Sequence, residues 1–366
     1  MGDGRLLFNI MHIFFHKIPK TSDSQYRGIG FYTRYLVEAL QKEGVEMGFF
    51  SAESELIHQP SIINHQSEFI LHYPFISPYF HTSPYRSKFK RMITVHDLIP
   101  LKFPKLYPSG IKGKIKWQIN KRIIQKAEAI IADSLTSKND ILSYCWPISA
   151  QKIHIVPLAA DSTYKPLKIK KMPTNLRTYE PINLQNFVLY VGDVNPSKNL
   201  PMLIKACVDL KLPLVLVGKK ITEKNYDKNH PENKDLAEVQ KLAIKNPKLI
   251  FPLGFVSDEE LVKLFNLATI YCQPSLEEGF GLPVLEAMAC GCPAAVSQTS
   301  ALVEITKTNA FLFDPVSIDS MKTALKEAFS NQKKRKEFSA WGLKRAGEYS
   351  WQKTAKQTIE VYKSLI

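Results

Sequence analysis

The chain has 366 residues, of which 45% are hydrophobic and 23% are charged, and its formal net charge is +15 at pH 7. This length exceeds what one compact core usually organises, so we expect two domains. The apolar content is ordinary for a globular protein, and no apolar run is long enough to span a bilayer. The five cysteines show no zinc-site spacing, which favours buried, reduced thiols in a cytosolic protein.

Short apolar runs alternate with helical patterns along the whole chain. The first run lacks a small-residue cleavage site, so we read it as a strand rather than a signal peptide. In the first half the predicted strands are Leu6–Phe15, Met47–Phe50, Phe69–Tyr73, Met92–His96, Ala129–Ala132 and Ile153–Pro157. In the second half they are Phe187–Gly192, Leu214–Gly218, Leu249–Phe251, Thr269–Cys272, Ala294–Ser297 and Phe311–Phe313. Helical periodicity marks Tyr32–Gln41, Asn199–Asp209 and Asp258–Leu267. The alternation predicts an α/β protein with doubly wound parallel sheets.

The alternation breaks near the middle of the chain. Residues 162–186 contain three prolines, many charges and little periodicity. We place a linker at 166–186, between a first domain at 1–165 and a second at 187–348, and an amphipathic helix at 349–366. Because open α/β sheets bind ligands beyond the carboxyl ends of their strands, we expect the chemistry there, in a cleft that two facing sheets share.

Much of the positive charge lies in residues 102–126, which hold seven lysines and one arginine before the first acid, Glu128. Isoleucines and a tryptophan interleave with these bases. Such a surface suits nucleic acid, anionic lipid or a phosphorylated substrate. Two interpretations of the helix remain open. It rests on an anionic membrane, or it packs its apolar face on the domain core and leaves the lysines in solvent.

The segment Ser275–Gly291, SLEEGFGLPVLEAMACG, carries the strongest chemical signal. Pro283 suits the first turn of a helix, whose unpaired N–H groups and positive end favour phosphate. Glu278 and Glu286 frame the glycine-rich loop. Either glutamate alone is explained as a partner of the helix dipole, but the pair also suits the hydroxyls of ribose and hexose.

The run EGFGLPVLEAMACG resembles the E-x7-E signature of family 4 (group 1) retaining glycosyltransferases. The resemblance implies the GT-B fold, in which two Rossmann-like domains face each other across a cleft and a C-terminal helix crosses back to the first domain. It implies that Glu278 acts on the transferred sugar and that Glu286 binds the ribose. The other donor-binding positions implied in this run are Gly279, Phe280, Gly281, Leu282 and Pro283.

Two further segments of the second half resemble the same family. VLYVGDVNPSKNLPMLIKA, residues 188–206, matches its G-x-x-x-P-R-K-N segment and places Lys198 on the donor diphosphate. Some relatives carry an arginine where Asp193 stands, and we expect Asp193 to point away from phosphate. GFVSDEEL, residues 254–261, matches a turn near the nucleobase and implies donor binding at Val256. Asp258 is the expected cap of the helix that follows.

The first half resembles the family at several strand ends. RGIGFYTRYLVEAL places Gly28 and Gly30 just before a helix, either for packing or beside the donor phosphates and acceptor. In VHDLIP, the resemblance implies that His96 hydrogen-bonds the donor sugar and that Asp97 braces the loop. ADSLTSKNDI matches a family element whose two serines, at 134 and 137, also suit helix capping.

Two more segments complete the likeness. HIVPLAAD has Ala159 where the family usually has glycine, which disfavours a positive φ there. YSWQKTAKQTIEVY, residues 349–362, resembles the terminal helix that crosses back to the first domain.

The resemblance implies retaining, metal-independent transfer of a hexose, with mannose favoured, by catalytic residues His96, Lys198 and Glu278. The expected donor is GDP-mannose or a UDP-sugar, the acceptor is a glycan or lipid-linked glycan, and no other cofactor is expected. No DxD motif has a convincing metal role. We expect a cytoplasmic enzyme, peripheral on the inner membrane face through residues 102–126.

Two alternatives remain. A glycan synthase or phosphorylase of the same fold would fit the motifs, and a phosphorylase would depend on inorganic phosphate. A basic nucleic-acid-binding protein would fit the charge, but no RNA-binding signature is visible, so we expect no nucleic-acid partner.

Overall fold

The computed structural model describes residues 12–17, 28–57, 69–80, 82–169 and 186–366. The first part of the strand predicted at Leu6–Phe15 and most of the predicted linker lie outside these residues. The backbone divides into two compact units. The first comprises residues 1–104, 109–159 and 349–366, and the second comprises residues 105–108 and 160–348.

The first unit is built on a six-stranded parallel sheet in the order β2-β1-β3-β4-β5-β6. Its strands are β1 (His12–His16), β2 (Met47–Phe50), β3 (Phe69–Tyr73), β4 (Lys90–Val95), β5 (Ala129–Ala132) and β6 (Ile153–Ile155). Its helices up to that point are α1 (Gly28–Lys42), α2 (Ser54–Ile57), α3 (Ile99–Lys102), α4 (Gly110–Lys126) and α5 (Leu135–Tyr144).

The second unit contains another six-stranded parallel sheet, in the order β12-β11-β10-β7-β8-β9. Its strands are β7 (Val188–Val191), β8 (Leu214–Val217), β9 (Ile250–Gly254), β10 (Ile270–Gln273), β11 (Ala294–Ser297) and β12 (Phe311–Phe313). Its helices are α6 (Leu200–Leu210), α7 (Lys234–Lys245), α8 (Asp258–Leu267), α9 (Leu282–Ala289), α10 (Ser300–Thr306), α11 (Ile318–Ser330) and α12 (Gln332–Ala346). The last helix, α13 (Trp351–Lys363), belongs to the first unit.

The strands are covered on both faces, as their nearly continuous apolar sequences predict. Every residue of β3 and of β5 is buried, and so is every residue of β8 and of β10. Burial on both faces is what parallel sheets between helix layers require. Each unit has its own apolar core, centred on residues such as Leu71 and Ile130 in the first and Leu189 and Leu216 in the second.

The strand order of the second sheet reverses between β7 and β10, which pair directly, with Val188 opposite Ile270. The loops that follow these two strands therefore leave the sheet side by side at its carboxyl edge. Ligands bind at such a reversal in open α/β sheets, because the two loops diverge there and leave a crevice. The fold thus places the segments after β7 and β10 together.

The predicted α/β fold with two parallel sheets is confirmed, with all predicted strands present in the described part of the chain. The differences lie at element ends. The helix predicted at Tyr32–Gln41 begins earlier, at Gly28, so Gly28 and Gly30 lie in its first turn rather than before it. Helix α8 is capped by Ser257, not by Asp258, because Ser257 and Glu260 form a reciprocal capping box.

Candidate functional site

Lys198 and Glu278 meet where the strand order of the second sheet reverses. Lys198 ends a short 3-10 turn after β7, and Glu278 lies in the loop between β10 and α9. The Nζ of Lys198 lies 2.7 Å from Oε1 of Glu278. The Glu278 side chain is 9% exposed and that of Lys198 is 23% exposed. A largely buried ion pair therefore lies at the carboxyl edge of the sheet, which is the edge where ligands bind in open α/β sheets.

The two loops that carry this pair are joined by backbone and amide hydrogen bonds. Asn199 has a left-handed φ of 55°, and its Nδ2 donates to the carbonyl of Pro274 at 3.2 Å. The N–H of Leu276 donates to the carbonyl of Ser197 at 2.7 Å. Asparagine tolerates this backbone conformation better than most residues. These bonds fix the Lys198 turn against the loop of Glu278.

Three donors converge on one oxygen of Glu278. Besides Lys198, Nε2 of Gln273 donates to Oε1 at 2.8 Å and Oγ of Ser275 donates to it at 2.7 Å. Gln273 and Ser275 are buried. Sequence analysis missed both residues, although the strand-end rule that selects Glu278 applies equally to them.

Tyr107 holds the Lys198 turn from the other side. The Tyr107 hydroxyl lies 3.0 Å from Oδ1 of Asn195 and 2.9 Å from Oγ of Ser197, and either oxygen can accept its proton. The same hydroxyl accepts a hydrogen bond from the N–H of Ser197 at 3.2 Å. Tyr107 lies in the sequence of the predicted first domain but packs with the second unit. No local sequence signal marks this residue.

The start of α9 offers fewer donors than its position predicts. Gly281 has a φ of 99°, and a Cβ there would lie 2.8 Å from Leu302, so the position requires glycine. The N–H groups of Val284 and Leu285 donate to the carbonyl of Gly281. Pro283 has no N–H. The first turn can thus give a phosphate at most the N–H of Leu282, together with the positive end of the helix dipole.

Glu286 is a half-buried carboxyl on α9. Burial, followed by the charges of Asp258 and Asp161, raises the pKa of Glu286 to about 8. Among the described residues, Glu286 has no hydrogen-bond donor and no ion-pair partner. A carboxyl in this state is suited to a ligand hydroxyl pair that can supply the missing donors.

The remaining predicted positions of the second unit lie at its loops. Val256 is half-buried in the turn between β9 and α8. The hydroxyl of Tyr190 donates to the backbone carbonyl of Asp193 at 2.9 Å. The expected direction of the Asp193 carboxylate stays a prediction.

His96 directly follows β4 and pairs with Asp133, which directly follows β5. Nδ1 of His96 lies 2.6 Å from Oδ2 of Asp133, and Nε2 lies 3.0 Å from the carbonyl of Pro74. Burial lowers the pKa of His96, but the charges of Asp133 and Asp97 and the hydrogen bonds to Asp133 and Pro74 outweigh it, so the pKa is raised. Both neighbours are acceptors, so both ring nitrogens can donate when the imidazole is protonated. The predicted hydrogen bond to a donor sugar requires one of these contacts to be shared or released.

The loop around His96 is braced by short polar side chains. Oδ1 of Asp97 accepts the N–H of Ile99 at 3.0 Å, which is the bracing that the resemblance implies. Oγ of Ser137 donates to the carbonyl of His96 at 2.7 Å, and Ser134 caps α5. Asp133 was missed, although it begins the segment in which both serines were noted.

A buried hydrogen-bonded chain runs beneath His96. The Tyr32 hydroxyl contacts Thr94 at 3.0 Å, Thr94 contacts Nε2 of His72 at 2.9 Å, and Nδ1 of His72 contacts the Tyr362 hydroxyl at 2.8 Å. Burial lowers the pKa of His72 to about 3, so the imidazole is neutral. The Tyr32 ring meets the His96 ring edge-on at 4.7 Å. This series of hydrogen bonds anchors α13 in the interior of the first unit.

The comparison with known families decides what kind of site this is. Residues 174–345, which include Lys198, Glu278 and Glu286, match the family model described as Glycosyl transferases group 1. The chain carries a group 1 glycosyltransferase domain. The family indicated by the E-x7-E motif is thereby confirmed.

The glycosyltransferase resembles two mannosyltransferases in sequence. It is 28% identical over 283 residues to the O-antigen chain mannosyltransferase B of Escherichia coli, covering 75% of this chain and 71% of the relative. It is 29% identical over 254 residues to the MMP alpha-(1->4)-mannosyltransferase of Mycolicibacterium hassiacum, covering 68% of this chain and 57% of the relative. The matched part is thus little more than half the length of the second relative.

Solved structures show the same fold. Sucrose-phosphate synthase from Thermosynechococcus elongatus matches with a TM-score of 0.76 at 16% identity, over 97% of this chain and 99% of that chain. Anabaena HepE, solved in complex with UDP-glucose, matches with a TM-score of 0.71 at 16% identity, over 97% and 100% of the two chains. The GT-B fold predicted for the glycosyltransferase is therefore confirmed.

Helix α4 of the glycosyltransferase is the basic helix predicted within residues 102–126. Ile123 and Ile124 are fully buried, whereas Ile111 is 79% exposed and Ile115 is 57% exposed. The C-terminal half of the helix thus packs on the core, and Trp117 also packs there. Contact of the exposed isoleucines with a membrane stays a prediction.

Other expectations concern metals, membrane spans and thiols. Within the described ranges, no three His, Cys, Asp or Glu side chains are grouped so that they could hold a metal ion, and metal independence stays a prediction. No helix in the described part of the glycosyltransferase is long and apolar enough to cross a membrane. All five cysteines are free and buried. Ala159 is buried and has no positive φ, in line with its side chain.

Proposed function

We propose that this glycosyltransferase moves a hexose, with mannose favoured, from a nucleoside-diphosphate sugar to a glycan or lipid-linked glycan. The observation that carries the proposal is the Lys198–Glu278 ion pair at the strand reversal between β7 and β10. A cation and a carboxylate 2.7 Å apart suit the two ends of the bond that breaks. The cation favours the anionic diphosphate, and the carboxylate favours the electron-poor sugar carbon.

In this proposal, each site residue of the second unit has a chemical role. Lys198 neutralises charge on the departing diphosphate, where a preorganised cation is most effective. The Leu282 N–H and the dipole of α9 add to this stabilisation. Glu286 accepts hydrogen bonds from the ribose hydroxyls. The contact of His96 with the transferred sugar, and the roles of Gly28 and Gly30, stay predictions of the family resemblance.

Mannose and a glycan acceptor are proposed from the relatives. Both sequence relatives are named as mannosyltransferases, and one is named for the O-antigen chain. We extend these names to a GDP-mannose donor, with a UDP-sugar as the other candidate because HepE was solved with UDP-glucose. Retention of configuration and independence from added metal follow from the resemblance of the motif that begins at Glu278.

The N-terminal half of α4 is proposed to contact an anionic membrane. Ile111 and Ile115 lie one helical turn apart and are exposed, with Lys112 and Lys114 exposed between them. Apolar side chains among lysines favour an anionic lipid surface. This position would bring the enzyme to a lipid-linked acceptor on the cytoplasmic face.

A donor screen tests the proposal. The purified chain is given GDP-, UDP- and ADP-sugars, and thermal shift, nucleoside-diphosphate release and product configuration are measured with and without chelator. Transfer from one donor is expected, and Glu278→Gln and Lys198→Met are each expected to lose about 100-fold or more in kcat. Lys263→Met is the control, because Lys263 forms an exposed ion pair with Glu259 in the same unit. Full transfer by the Glu278 and Lys198 variants would overturn the assigned roles, and strict dependence on inorganic phosphate would favour a phosphorylase.

A further inference from the structure

Gln273 connects the carboxylate of Glu278 to the interior of the sheet. It is the last residue of β10 and is 2% exposed. Its Nε2 lies 2.8 Å from both Oε1 of Glu278 and Oγ of Ser275. Its Oε1 accepts a hydrogen bond from the hydroxyl of Tyr271, a fully buried residue on the same strand. The amide thus bridges a buried phenol and the carboxylate of the proposed donor site.

The amide and serine protons of this cluster each have one acceptor, whereas the Tyr271 hydroxyl has two within reach, Oε1 of Gln273 and, at 3.4 Å, the carbonyl of Val191. The Gln273 amide has two protons, which go to Glu278 and Ser275. Ser275 accepts one of them and gives its own hydroxyl proton to Glu278 at 2.7 Å. Tyr271 gives its proton to the amide oxygen. A flipped amide would set its oxygen against the Glu278 carboxylate and lose that hydrogen bond, so the carboxylate selects the orientation with Nε2 toward Glu278.

The two oxygens of the Glu278 carboxylate differ in the hydrogen bonds that they accept. Lys198, Gln273 and Ser275 all donate to Oε1. No hydrogen bond from the described residues falls on Oε2. One oxygen is therefore held by the protein, and the other is left for a ligand.

We propose that Gln273 is a positioning residue for transfer: it fixes the rotation of the Glu278 carboxylate so that Oε1 stays with Lys198 and Oε2 is presented to the sugar. This inference rests on the proposed function. The inference extends the proposed function by assigning a role to a residue that need not contact the sugar donor. A carboxylate that is free to rotate spends part of its time out of the productive geometry, and small misplacements of this kind cost large factors in rate.

Steady-state kinetics of Gln273→Met with the donor found in the screen tests the assignment. Methionine keeps the length and apolar volume but removes both N–H donors. The expected result is a fall in kcat of about 10–100-fold with a donor KM within about threefold of wild type.

Gln240→Met is the matched control. Gln240 lies in the same unit, accepts from the Tyr226 hydroxyl and donates to the carbonyls of Ile221 and Glu223. Gln240→Met is expected to keep the wild-type kcat and the wild-type donor KM. If Gln273→Met does not fold, Tyr271→Phe removes the hydroxyl that donates to the amide oxygen, together with its longer contact to the Val191 carbonyl, and should also lower kcat.

The outcomes separate the two levels of the proposal. Wild-type kcat in folded Gln273→Met, or in Tyr271→Phe when the first variant does not fold, would overturn the role of Gln273 and leave the proposed function standing. A wild-type protein that transfers no sugar from any donor would overturn the proposed function itself. Equal losses in Gln273→Met and Gln240→Met would reduce Gln273 to a structural residue.

Discussion

His72 and Tyr362 are 290 positions apart in the sequence, yet Nδ1 of the imidazole lies 2.8 Å from the tyrosine hydroxyl. Both side chains are fully buried. The contact joins β3 of the first sheet to the last helix of the chain. Because the imidazole is neutral, the bond has no ionic component, and its value depends on keeping two buried polar groups paired.

Tyr362→Phe leaves the His72 nitrogen buried without a partner. A buried polar group that loses its partner costs about 1–3 kcal/mol, so we expect the free energy of unfolding of the first unit to fall by that amount. Urea denaturation followed by far-UV circular dichroism measures it. Tyr226→Phe, which breaks a hydrogen bond to Gln240 nearer the surface, serves as control and should cost less. Equal stability of Tyr362→Phe and wild type would show that the hydrogen bond between His72 and Tyr362 does not stabilise the docking of α13.

Glu286→Gln probes the raised pKa in the second unit. The folded-state pKa of about 8 lies above the ordinary value of 4.5, so between these pH values the native state holds a proton that the unfolded state has released. Stability therefore falls as pH rises through this window, and the loss is complete above about pH 8. The variant cannot ionise, so we expect it to melt on the order of 2–4 °C above wild type at pH 9 and close to it at pH 5.

The pH series for Glu286→Gln has its own control in Glu337→Gln, an exposed glutamate on α12. That variant should show no pH-dependent difference from wild type. Differential scanning calorimetry at pH 5 and pH 9, in buffers of matched ionic strength, measures the melting temperatures of both variants and of wild type. A gain that is the same at pH 5 and pH 9 would mean that charge on Glu286 does not destabilise the native state.

Much of the fold and of the donor site could be predicted from local patterns. Strand-helix alternation predicted the two sheets, the rule that ligands bind at strand ends indicated where to look, and the family resemblance then selected Lys198, Glu278 and His96. The same rule, applied to every polar side chain that follows a strand, would have found Asp133 and Ser275 as well. Both residues lie inside the quoted motifs, but the resemblance assigns roles to other positions of those motifs, so these two were missed.

Other features depend on contacts between distant segments and leave no local trace. Tyr107 holds the Lys198 turn from residues 105–108, which interrupt the sequence of the first unit but pack with the second. The unpaired state of Glu286 depends on the folded environment around α9. The number of free N–H groups at the start of α9 depends on the left-handed turn at Gly281, which the sequence permits but does not require.

The N-terminal half of α4 gives the remaining prediction. Replacing both Ile111 and Ile115 with serine removes two exposed apolar side chains but none of the lysines, so the charge of the helix is unchanged. If this half of α4 inserts among lipid headgroups, binding to vesicles with 30% anionic lipid should weaken about tenfold or more, since each buried apolar side chain contributes about 1.5–3 kcal/mol. Co-sedimentation at fixed salt measures this binding.

Ile244→Ser is the matched control for the double variant, because Ile244 is also 79% exposed but lies on α7 of the second unit. This control should bind the vesicles as wild type does. Wild-type protein that stays in the supernatant with anionic vesicles would overturn the membrane proposal, and equal binding of the double variant and wild type would mean that the lysines alone account for the attraction.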